Sequence, residues 1–145
     1  MNRKIVLSAF IAAITAIIHI FAGGADVAAP MLNSVLGAEP KLTLYAVWHM
    51  VSVVLILSAI ALFIGSLPKH AQAARWLIMF ISILWCVFGL VFLVIICIQP
   101  DGGWLFKLPQ WVLLMPVGIF GLWGSANKAN SRAQESPNRR DATER

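Results

Sequence analysis

The sequence predicts an all-α integral membrane protein: an antiparallel bundle of four transmembrane helices with both termini in the cytoplasm (N-in/C-in). Three observations carry that expectation. Hydrophobic residues make up 60% of the chain and charged residues only 12%, whereas soluble proteins carry roughly a quarter charged residues. The apolar residues are gathered into four blocks. The basic residues lie almost wholly on one side of those blocks.

The blocks predict spans at about 5–22, 42–67, 76–98 and 104–124, together a membrane domain over 1–124. Each is long enough for a hydrocarbon core of about 30 Å, which takes roughly 17 to 25 helical residues. No Asp, Glu or Arg falls within the apolar blocks, and Lys107 stands near the end of the last. Helices are expected because a lone span must satisfy its own backbone, and the alternation of a barrel strand is missing.

Charge placement gives the sidedness. Arg3, Lys4, Lys69, Arg75, Lys128, Arg132, Arg139, Arg140 and Arg145 fall on one side, against Lys41 and Lys107 on the other. The positive-inside rule puts the first group in the cytoplasm. The net charge of +5 is therefore a topology signal, and no nucleic-acid partner is expected. A multi-pass protein of a bacterial inner membrane is the expected location, with the bilayer as its main partner and other membrane subunits or a homo-oligomer as further candidates. From residue 125 to 145 the composition turns to Asn, Ser, Arg, Gln, Glu and Asp, which predicts a disordered cytoplasmic tail.

The first block has a competing reading as a cleaved signal peptide, since Met1-Asn2-Arg3-Lys4 precedes an apolar run and small residues follow at Gly23 to Ala25. The run is longer than a typical signal core and carries His19 near its end. The cysteines add little. Cys86 and Cys97 lie eleven residues apart on one helix, about 16 Å, which is too far for a disulfide. No Cys-x-x-Cys, haem-attachment or zinc spacing is present,.

The first connection, from Ala22 to Lys41, opens with Gly23-Gly24-Ala25-Asp26 and holds Pro30 and Pro40. The glycines are expected to end the first helix, and the loop to lie over the bundle as a lid. The second connection, Ser66 to Arg75, is short enough to set the second and third spans as an antiparallel hairpin. Pro100-Asp101-Gly102-Gly103 is a strong turn signal between the third and fourth. Trp104, Phe106, Trp111 and Tyr45 read as an interfacial aromatic belt on the outer side, with Trp76 and Trp123 on the inner side.

Contact faces in lipid favour small and polar residues, and each span offers one such stripe. They are Ser8, Ala12, Thr15 and His19 in the first span, and Tyr45, His49, Ser52 and Ala59 in the second. The third has Ser82, Cys86 and Gly89, and the fourth has Gln110, Gly121 and Gly124. Polar content concentrates at the outer end, where His19, Asp26, Tyr45, His49 and Gln110 are the candidate ligand-binding residues. An ionisable group in a span is a functional hypothesis by default.

Several readings of the paired histidines stand side by side. They can bond to each other, to Tyr45 or to Thr15 and so fix helix register, as in a structural or accessory subunit. They can bind a small polar or lipidic molecule in an outward-opening pocket. As an alternative they can act as axial ligands of a b-type haem, or hold a transition metal together with Asp26 and Cys97. No nucleophile motif or paired carboxylate fixes a reaction class, so catalysis is not the expected role.

Overall fold

The computed structural model describes residues 1–100 and 103–143, with side chains through residue 126. Among the described residues the chain is all-helical, with no strand. Helix α1 covers Arg3–Gly23 and runs through a π-helical turn, Gly24–Ala28, into α2, Ala29–Leu32. Helix α3 covers Ala38–Ser66, α4 Arg75–Cys97, α5 Trp104–Lys107 and α6 Gln110–Thr143. Three segments, Arg3–Leu32, Ala38–Ser66 and Arg75–Cys97, are long and apolar enough to cross a membrane, and a shorter apolar helix covers Gln110–Ala126. The tail expected over 125–145 falls almost wholly on residues whose side chains lie outside the described set.

The outer faces belong to a lipid environment. Large apolar side chains such as Phe10, Ile17, Phe63, Phe80 and Leu90 stand exposed on every long helix, far more apolar surface than a water-soluble monomer presents. What is buried is small or aliphatic. Ala9, Ala12, Ala16, Leu55, Leu62, Ile78, Ile81, Leu114 and Val117 form one core around the fully buried Trp85.

Small residues decide which helices meet. Helix α4 presents Ser82, Cys86 and Gly89 to α6, which answers with Gly118 and Gly121. A Cβ at Gly118 would strike the Cys86 sulfur and the Ser82 carbonyl, and one at Gly121 would strike Ser82 Oγ. Two backbones this close gain dispersion along their whole length, the main attraction between helices in lipid. Helix α1 lies between α3 and α6. It packs on α3, and Ser8 Oγ donates a buried 2.7 Å hydrogen bond to the Val117 carbonyl of α6.

Successive helices are not always packed partners. The chain reverses between α3 and α4 as expected, yet these two touch sparingly, chiefly where Gly65 meets Ile78 and Ala74 near the connection. Helix α1 takes α3, and Gly118 and Gly121 of α6 take α4. The order around the bundle is therefore α3, α1, α6, α4.

One end of the bundle is level. Asn2 donates its backbone N–H to the Ser66 carbonyl at 3.2 Å and its side-chain amide to the Gly124 carbonyl at 2.8 Å. Its side-chain oxygen caps α1 by accepting from Lys4 N–H at 3.2 Å,. Lys4 also places its ammonium 3.5 Å from the centre of the Trp123 ring. Since the start of α1, the end of α3 and the Gly124 turn of α6 are tied here, differences in helix length appear at the opposite end. The segment Arg3–Leu32 has 30 residues and α3 has 29, against 23 in α4. At 1.5 Å per residue the α1–α2 and α3 pair overhangs α4 by about 10 Å.

The overhang depends on a difference from the sequence reading. Gly23 and Gly24 do not end the helix. Both keep right-handed helical angles, with φ near −60°, and the backbone passes into the π turn. Glycine disfavours a helix without forbidding it, and in an apolar setting an interrupted backbone would leave amides unsatisfied. Pro30 follows the π turn directly, in the second position of α2, and has no N–H to donate back to that turn.

Candidate functional site

Where α1–α2 and α3 rise together they enclose an open groove of about 520 Å³, within the range of small-molecule sites. Ile20, Gly24, Ala28, Ala29 and Leu32 form one wall, and Tyr45, Trp48, His49, Ser52, Val53 and Ile56 form the other. The periodicity of the α3 wall explains why these side chains share a face: 45, 49, 52, 53 and 56 are spaced by three and four residues along one helix. Measured along α3 from Ser66, Ile56 stands about 15 Å and Tyr45 about 31 Å from the level end. The groove thus occupies the part of α3 away from the level end.

The two histidines have separate surroundings. His19 is half-buried and stacks on the Trp48 indole, with ring centres 4.0 Å apart and planes 17° from parallel. Gly23 makes the approach possible, because a Cβ there would come within 2.8 Å of the indole. The Trp48 carbonyl accepts from Ser52 Oγ at 3.0 Å, and His19 Nε2 faces it in a longer contact at 3.5 Å. A carbonyl only accepts, so Nε2 carries the proton in this arrangement. His19 therefore secures α1 to α3 and does not line the groove.

His49 is exposed on the groove wall. It meets Tyr45 edge-on, with ring centres 4.5 Å apart and planes at 80°. Among the described residues, neither the Tyr45 hydroxyl nor the His49 ring makes a hydrogen bond. Tyr45 and His49 are thus the residues of the candidate set that the fold brings together. Asp26 is exposed in the π turn, outside the groove lining. Gln110 starts α6, away from the groove, with its side-chain oxygen buried and without a hydrogen-bond partner.

No hydrogen bond or ring contact joins His19 to His49. Among the described residues, no three of His, Cys, Asp and Glu gather into a set fit to hold a metal ion, and Cys97 is exposed. Shared haem ligation through Nε2 would require His19 to turn that atom from the Trp48 carbonyl.

Trp48, Gly24, Ala28 and Ile56 are groove residues that the sequence reading did not single out. The groove's far wall reads there as loop. The signal available was the spacing of Gly24 and Ala28, four residues apart as on a continuing helix. Comparison with protein families, with curated protein sequences and with solved structures finds no match for this chain.

Proposed function

We propose that the chain is a four-span inner-membrane protein, N-in/C-in, that binds a small amphiphile from the outer leaflet in the groove between α1–α2 and α3. The groove carries the reading. It opens sideways on helices whose other faces are lipid-facing, it is apolar at depth, and its shallow end offers a hydroxyl and an imidazole with no hydrogen bond among the described residues. An amphiphile entering from the bilayer satisfies both ends: its chain replaces lipid against Ile56 and Val53, and its head meets Tyr45 and His49.

The level end then faces the cytoplasm, where Arg3, Lys4, Lys69 and Arg75 stand with the aromatic anchors Trp76 and Trp123. The fourth span is the apolar part of α6, Gln110–Ala126, about 25 Å long at 1.5 Å per residue,. Binding rather than catalysis is proposed because Tyr45 and His49 meet edge to ring, a geometry that relays no proton.

Extraction and mass spectrometry of lipids retained by the detergent-purified protein test the reading. A near-stoichiometric amphiphile is expected. His49→Ala and Tyr45→Phe should each weaken its retention by about three- to ten-fold, the worth of one hydrogen bond, with His70→Ala as an unaffected control. Recovery with stoichiometric partner subunits and no retained amphiphile would instead identify an accessory subunit of a larger complex.

A further inference from the structure

Gly24 lies on the groove wall under none of the constraints that ordinarily call for glycine. Its angles, φ −58° and ψ −45°, are those of an ordinary right-handed helix, which any residue adopts. A Cβ added to it would meet nothing within 4 Å. The contrast with its neighbour is direct: Gly23 admits Trp48, and a Cβ there would collide with the indole. Glycine is also among the poorest helix formers. What the missing side chain of Gly24 leaves open is the groove itself.

The lining is also informative in charge. It contains no Lys, Arg, Asp or Glu, and Asp26, two residues beyond Gly24, is exposed outside it. A charged head brought to the depth of His49 would lose hydration with no opposite charge to compensate. A neutral head with oxygen donors and acceptors loses less and can hydrogen-bond to the free tyrosine and imidazole.

We infer that Gly24 is the specificity-determining residue of the groove, leaving space level with Tyr45 and His49 for the uncharged, hydrogen-bonding head of an amphiphile. The inference rests on the binding reading above and adds to it the residue that sets the space and the class of head group.

Photolabelling of the full-length protein in bilayers tests both levels. The probes are a diazirine-bearing long-chain alcohol and the alkyl sulfonate and alkyl trimethylammonium of the same chain. Cleavage after lysine and arginine separates 42–69, which holds the α3 wall, from 76–107, which holds the lipid-facing α4 as reference. The alcohol should label Tyr45 to Ile56 well above the reference, and the charged probes should not. Gly24→Leu should lower that labelling by about ten-fold. Gly24→Ala should lower it less while raising the thermal midpoint by a few degrees, the stability gained when glycine leaves a helical position.

Unchanged labelling in a Gly24→Leu protein whose parent is labelled would overturn the role of Gly24, as would a Gly24→Ala protein with a lowered midpoint. Equal labelling by the sulfonate or the ammonium would overturn the neutral head group. Labelling of the parent groove no stronger than that of 76–107 would remove the binding reading itself.

Discussion

Gly118→Leu is expected to separate α4 from α6. The position has no room even for a Cβ, which would strike the Cys86 sulfur and the Ser82 backbone carbonyl together. A side-chain neighbour can rotate aside, but a backbone neighbour moves only with its helix. Overpacking commonly costs about 1–3 kcal/mol, and this site belongs at or above the top of that range. Loss of the bundle's most extensive interface follows. The thermal midpoint in mild detergent should fall by about 10 °C or more, or the monodisperse peak should disappear on size exclusion. Gly103→Ala is the matched control, since a Cβ there meets nothing within 4 Å. A Gly118→Leu protein as stable as the parent would show that α4 and α6 do not pack through this face.

A chain reduced to 26–145 should fail to form a stable bundle. Helix α1 connects the two halves: Ala9, Ala12 and Ala16 are buried, Ser8 bonds to Val117, and Asn2 ties the end of α3 to the Gly124 turn of α6. Since α3 and α4 touch little, removing α1 leaves α3 without a packed partner and exposes the Ser66 and Gly124 carbonyls. Co-expression of residues 1–25 as a separate segment should restore part of the folded material, as expected when spans insert independently and then associate. N-terminal sequencing of the purified protein is the complementary measurement. A mature chain that starts near Asp26 and remains monodisperse would contradict the central place of α1 and favour the signal-peptide reading.

The faces of the helices were legible in the sequence. Ser8, Ala12 and Thr15, then Ser82 and Gly89, then Gly121 and Gly124 are buried contact residues, because small and polar side chains in lipid have few other uses. The partners of those faces were not legible. A stripe tells which side of a helix is turned inward but not which neighbour meets it, and α4 chose α6 over the chain neighbour α3.

The site shows the same division. Tyr45 and His49 share a face by spacing alone, and His19 points inward by spacing alone. That Trp48 takes His19 for itself depends on the reach of an indole over Gly23, a tertiary fact. The groove's second wall was hidden by Gly23-Gly24, which reads as a helix stop. The backbone continues through it as a π turn and carries Ala28, Ala29 and Leu32 up beside α3.

The proposed arrangement of four spans, with the groove mouth outside, is tested most directly by cysteine accessibility in a Cys86→Ala, Cys97→Ser background. Single cysteines replace Val35, which is fully exposed between α2 and α3, Lys69 between α3 and α4, Gly103 before α5, and Lys128 beyond the apolar part of α6. Cysteines at positions 35 and 103 should react with a membrane-impermeant maleimide in intact cells, and those at 69 and 128 only after permeabilisation. Reaction at position 69 in intact cells would invert the topology, and positions 103 and 128 behaving alike would show that α6 does not cross.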